Sequence, residues 1–169
     1  MSSVVFFRRK AIYNMLKSNM IRSLDRFERQ LCDIQGRLFE RSLKMGLDSV
    51  DFIEKYMNSM TCECLDMPYD RLQWAGEEYI MENLLEEISI QSGGEIFDKE
   101  ELFWTGYIYR YWHYIKEEDS RKIYAQAEAQ LMRDCYLGFH ALDAAMAIDN
   151  LIEIDRQCDG YSSSAFIFG

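Results

Sequence analysis

The stretch Leu102-Phe-Trp-Thr-Gly-Tyr-Ile-Tyr-Arg-Tyr-Trp-His-Tyr-Ile115 decides the fold. Seven of its fourteen residues are aromatic, and only Thr105, Arg110 and His113 interrupt it as clearly polar side chains. At about 100° per residue on a helix, its apolar side chains point in every direction, and a helix apolar all round needs cover all round. The run is too short and too rich in tyrosine to cross a bilayer, so the cover must come from other helices or from a partner protein. The expected fold is all-α: a compact bundle of six or seven helices around an aromatic central helix over 102–115.

Composition points the same way. A hydrophobic content of 49% argues against disorder for most of the chain, and 169 residues can bury a substantial core without staples. One proline and nine glycines are too few turn signals for a many-stranded sheet. The expected organisation is a single helical domain over 1–157, with a long N-terminal helical arm (1–45) wrapping outside a core (48–157), and a loose tail (158–169) unless Phe166 and Phe168 dock.

Along the chain, Ile12, Met15, Leu16 and Met20, then Leu24, Phe27, Leu31, Ile34, Leu38 and Leu43, recur at helical spacing. Gly46 reads as a C-cap and Asp48 as the next N-cap, opening a helix over 49–58. Pro68 should open a helix over 69–88 with two opposed apolar stripes, a middle layer packed against the hub. Ser92-Gly-Gly94 is a turn, and Asp98-Lys-Glu-Glu101 has capping-box form. Ser120 should cap a helix over 121–132, Gly138 and His140 fall in a looser connection, and Asp143 caps a last helix over 144–154.

Charge is unevenly distributed. Residues 1–24 carry Arg8, Arg9, Lys10, Lys17 and Arg22 and no acid, so of the net charge of −10 about −15 belongs to residues 25–169. Such a body repels nucleic acid, and the basic stretch is expected to lie on the chain's own acidic surface rather than on phosphate. Five cysteines, an odd number in a chain with a good core, suit a reducing cytoplasm. The start places apolar residues before basic ones, the reverse of a secretory signal, and no apolar run reaches membrane-spanning length.

Motifs for chemistry are weak. Cys62-Glu-Cys64 lacks the second close pair a zinc site needs. Glu78, Glu82 and Glu86 share one helix face, as in carboxylate-bridged di-metal bundles, but those also need Glu-x-x-His pairs. Here the residues three before His113 and His140 are Arg110 and Leu137. No nucleophile elbow or phosphate loop is present. No catalytic residue, metal or cofactor is therefore expected; the alternative is an enzyme or metal-binding protein using His113, His140 and the Glu78/Glu82/Glu86 stripe. The hub's tyrosines and tryptophans carry polar atoms that leucine would not, and such side chains are enriched at binding hot spots. Two readings stay open: pure core, or core on one side and a protein-binding face on the other. The candidate partner-binding residues are Trp104, Tyr107, Tyr109, Arg110, Trp112 and His113 of the hub, with Trp74, Glu78 and Glu82. On the second reading, Trp112→Ala or Tyr109→Ala spoils binding more than it lowers the melting temperature.

The segment 98–154 resembles a group of small, uncharacterised bacterial helical proteins encoded beside toxins of ADP-ribosyltransferase type. The matching stretches are Tyr107-Ile-Tyr-Arg-Tyr-Trp-His-Tyr-Ile115, Ser120-Arg-Lys-Ile-Tyr124 and Phe139-His-Ala-Leu-Asp143. Pro68-Tyr-Asp-Arg-Leu-Gln-Trp-Ala-Gly-Glu-Glu-Tyr79 looks like longer members of that group. These are packing patterns, and the N-terminal arm and serine-rich tail fall outside the likeness. The resemblance implies an antitoxin or accessory partner that neutralises a toxin by direct binding and has no catalytic residues to carry over. A homodimeric accessory protein, its basic arm touching nucleic acid weakly, is the further alternative.

Overall fold

Two glycines set the central crossing. The computed structural model describes residues 22–164, with side chains to residue 158. Helix α1 (Arg26–Lys44) lies along the hub helix α5 (Lys99–Lys116) in the most extensive packing of the molecule. A Cβ on Gly106 would stand 2.6 Å from the Gln35 carbonyl oxygen and 2.8 Å from the Phe39 ring; one on Gly36 would stand 2.7 Å from the Phe103 ring. Only hydrogen fits at either point, so the two backbones approach closely there.

Around this pair stand α2 (Ser49–Met57), α3 (Met60–Asp66), a 3-10 turn (Arg71–Trp74), α4 (Glu77–Glu87), α6 (Ser120–Gln126), α7 (Ala129–Phe139) and α8 (Ala144–Ser164). The fold is an all-α bundle, with eight α-helices among the described residues rather than six or seven. The extra ones come from breaks and from a short helix that periodicity does not reveal. Ser59 caps α3 by accepting from the Cys62 amide at 3.0 Å. The helix expected over 121–132 breaks at Ala127, whose carbonyl oxygen accepts from the Tyr109 hydroxyl at 2.6 Å. The connection expected around Gly138 is instead the end of α7, and the last helix runs beyond residue 154 to Ser164. Residues before 22 and after 164, including the first 21 residues of the expected arm and Phe166 and Phe168, lie outside the described residues.

Several caps form where the sequence places them. The Asp51 amide donates to Asp48 Oδ1 at 2.8 Å, the Asp98 amide to Glu101 Oε2 at 2.9 Å and the Ala145 amide to Asp143 Oδ1 at 2.9 Å. Gly46, at φ +67°, follows α1. The cap of α6 is Asp119, not Ser120, because the buried Ser120 is tied elsewhere.

Two expectations of layering are corrected. Residues 26–44 do not wrap outside the core; they are the hub's main neighbour, because Gly36 and Gly106 allow it. The 69–88 region is not a middle layer. Ala75 and Gly76 break it, α4 packs on α1 and α3, and Tyr79 of one expected stripe and Trp74 and Leu85 of the other are exposed. Among the described residues no helix is long and apolar enough to cross a membrane.

Gly106→Ala distinguishes packing from propensity. In an exposed helix the change would stabilise by about 1 kcal/mol. Here the clash with a backbone carbonyl should reverse the sign and cost about 1–3 kcal/mol in urea unfolding. A stabilised Gly106→Ala protein would refute the close crossing.

Candidate functional site

Beneath the surface, one buried ion pair fixes the geometry. Arg110, only 1% exposed, donates from Nη1 to Asp66 Oδ1 at 2.6 Å and from Nε to Gln35 Oε1 at 2.9 Å. Tyr56 donates to the same Gln35 oxygen at 2.9 Å, and Gln35 Nε2 donates to the Gly106 carbonyl at 2.9 Å. Asp66 also accepts from the Ser120 amide and hydroxyl, both at 2.8 Å. Burial opposes the charge on Arg110, but the Asp66 carboxylate outweighs it, so the guanidinium stays protonated. Five helices meet in this network.

Above it opens a cleft of about 900 Å³ between the start of α1, the loop after α3 and the α5–α6 turn. Phe27 and Trp74 pack against each other on its wall with ring centroids 4.8 Å apart and planes tilted by 36°, yet Trp74 remains 75% exposed. Tyr69 is 93% exposed and Met67 is exposed beside it. Gln73 holds this loop by donating to the Leu65 and Met67 carbonyls at 3.0 and 2.9 Å, satisfying the end of α3. Met67 is extended, as the residue before Pro68 must be, and the helix stops.

The opposite lip is the turn 117–119. Glu117 ends α5 in the left-handed region, and His113 Nδ1 lies 2.7 Å from the Glu118 carbonyl oxygen, making Nδ1 the donor. Tyr69 (φ +67°) and Glu117 (φ +54°) are the only non-glycine residues at positive φ among the described residues, and both line this cleft. Such backbone strain persists only where surrounding contacts over-determine it, and it concentrates at functional sites. Seven carboxylates line the cleft (Asp25, Glu28, Glu63, Asp66, Glu117, Glu118 and Asp119) against the two cations Arg22 and Lys122.

The candidates named from sequence divide. Trp74 and His113 line the cleft. Trp104 and Tyr107 are half-buried in a separate, shallower groove with Tyr111 and His140, where Trp104 meets Tyr136 edge-on and Phe103, Tyr107 and Tyr111 form a stacked ladder. Tyr109, Arg110 and Trp112 are corrected: all are buried, each at 1% exposure or less, and none can present a surface. Helices cover one side of the hub, where Tyr109 and Arg110 turn inward, and leave Trp104, Tyr107 and Tyr111 half-buried on the other. Glu78 pairs with Arg41 at 3.1 Å on the surface of α4, and neither it nor Glu82 reaches the cleft. The alternative built on His113, His140 and the glutamate stripe finds no common site, since the two histidines line different depressions and Glu78, Glu82 and Glu86 line neither. Among the described residues no group of three or more His, Cys, Asp and Glu side chains could hold a metal ion.

Missed from sequence were Phe27, which looks like core, Tyr69, which looks like a helix start, and the strained Glu117. The adjacent breakers Pro68 and Gly76 were the available signal. Of the basic stretch, Arg22 does lie on the acidic surface, donating to Glu28 Oε1 at 2.5 Å; Arg8, Arg9, Lys10 and Lys17 lie outside the described residues. In comparisons with known proteins, no family model, curated protein or solved structure matches the chain.

His113 gives a test by pH. Burial, then the Arg110 charge, holds its imidazole below the usual histidine range near 6.5. The folded chain therefore binds this proton less well than the unfolded chain, so stability is full above about pH 6.5 and falls as pH drops below it. Asn can replace the Nδ1 donor without titrating. Between about pH 7.5 and 5.5 the melting temperature of the native chain should fall more than that of His113→Asn. Equal slopes would contradict the buried neutral ring.

Proposed function

We propose that this chain acts by binding another protein through the acidic, ring-lined cleft, and that it is the neutralising or accessory partner of a bacterial toxin. The observation that carries the binding reading is the coincidence at one cleft of Trp74, Tyr69 and Met67, all exposed, with both strained non-glycine residues. Large side chains left in water on a loop fixed by Gln73 are pre-organised, and an anchor already held in place loses little entropy on binding. The negative body speeds encounter with a basic partner, and the desolvated rings then hold the complex. The toxin assignment, of ADP-ribosyltransferase type, comes from the resemblance of segment 98–154. The cytoplasmic reading is supported by the free thiols of Cys32, Cys62, Cys64 and Cys135, two of them fully buried. Homo-oligomerisation through the same surface is the competing use of the cleft.

Expression of the chain should restore growth to cells making an ADP-ribosyltransferase-type toxin of the kind encoded beside its look-alikes. Trp74→Ala should weaken the complex by about 2 kcal/mol or more, roughly thirtyfold in Kd. Its melting temperature should move by only about 2 °C, because the side chain is largely in water. Tyr109→Ala should do the reverse of the surface expectation and lower stability by about 3–5 kcal/mol. Rescue and complex formation indifferent to Trp74→Ala would remove the cleft from the function.

A further inference from the structure

The cleft already holds one guanidinium. Arg22 donates to the Tyr114 carbonyl oxygen from one amino group and to Glu28 Oε1 from the other. The Tyr114 carbonyl belongs to the last turn of the hub helix, where carbonyls have no partner within the helix and the negative end of the dipole emerges. An eighteen-residue helix thus aims its negative end at the cleft, beside seven carboxylates.

A planar cation finds two further things there. The Phe27–Trp74 pair and the Tyr69 ring give it faces on which to stack. Glu117, held at positive φ on the lip, has no hydrogen-bond or ion-pair partner among the described residues, whereas Asp25 accepts from the Glu28 amide, Glu118 from Gln126, and Glu63 and Asp119 are engaged by Arg121 and Lys122. One carboxylate and one set of rings are therefore left for an incoming group.

We infer that the cleft is an arginine-reading site: Trp74 and Tyr69 stack on a guanidinium from an exposed segment of the partner, and Glu117 accepts its hydrogen bonds beside the position held by Arg22. The inference rests on the protein-binding reading above and narrows it to partners that present arginine. Lysine, a compact and strongly hydrated charge that cannot stack in the same way, is the weaker ligand.

The test uses the full chain and three blocked peptides of alternating glycine with arginine, lysine or citrulline, followed by calorimetry and by tryptophan emission. Trp112 is buried and Trp104 half-buried, so Trp74 dominates the emission response. The arginine peptide should bind about tenfold more tightly than the lysine peptide, and the neutral citrulline peptide should not bind. Trp74→Ala and, separately, Glu117→Gln should each weaken the arginine peptide about tenfold, with circular dichroism unchanged and the melting temperature within about 2 °C of the native chain's. Equal affinity for arginine and lysine would reduce the site to a general acidic surface and overturn the inference. Binding that appears only after Arg8, Arg9 and Lys10 are changed to serine would assign the cleft to the chain's own basic stretch and likewise overturn it. Trp74-dependent toxin binding without an arginine preference would overturn this inference and leave the protein-binding reading standing; loss of both would remove that reading too.

Discussion

The Asp66–Arg110 pair is the constraint on which the rest of the structure depends. Its two side chains are 11% and 2% exposed, and both charges have given up most of their water. A pair of this kind contributes little relative to well-packed apolar side chains, but losing one partner strands the other and costs about 3–5 kcal/mol. What the pair determines is position. Asp66 closes α3 and receives both polar groups of Ser120, while Arg110 reaches Gln35, so the two walls of the cleft and the helix beneath it are tied to one carboxylate.

Two buried tyrosine hydroxyls are spent on this scaffold, while Thr105 Oγ1, Trp112 Nε1 and the Tyr114 hydroxyl are buried with no hydrogen-bond partner among the described residues. Tyr109 spends its hydroxyl on the Ala127 carbonyl where α6 breaks, and Tyr56 spends its own on Gln35. Burial pushes the Tyr114 phenol up to about 12, keeping it neutral beside the network. Phe39, Phe52, Tyr56 and Tyr109 meet at centroid distances of 5.1 to 6.3 Å, mostly edge to face, which fills the space between α1, α2 and α5. The rings are therefore core in the middle of the hub, and the most exposed rings lie elsewhere, on the Met67–Trp74 loop.

Much of the fold was legible in the sequence, and the reasons for the remainder are physical. The Asp48, Asp98 and Asp143 caps and the Gly46 terminus are local signals, and each appears where expected. The place of α1 is not local. It depends on Gly36 meeting Phe103 and Gly106 meeting Gln35, contacts between residues far apart in the chain. The apparent second stripe of 69–88 came from projecting one helix through Gly76, where two elements with different axes meet. Part of the candidate cleft was visible: Trp74 and His113 were named, but Phe27, Tyr69 and Glu117 were not, and Tyr109, Arg110 and Trp112 were placed on a surface they do not reach. A run that is apolar all round says that cover exists without saying which helix supplies it.

The most direct measurement is a double-mutant cycle on Arg110→Met and Asp66→Asn, read by urea unfolding of the full chain. A coupling of about 2 kcal/mol or more is expected, because each single change strands a buried polar partner that the double change removes. A coupling below about 0.5 kcal/mol, as for an exposed pair such as Arg121–Glu63, would contradict the claim that this pair holds the cleft and the bundle together.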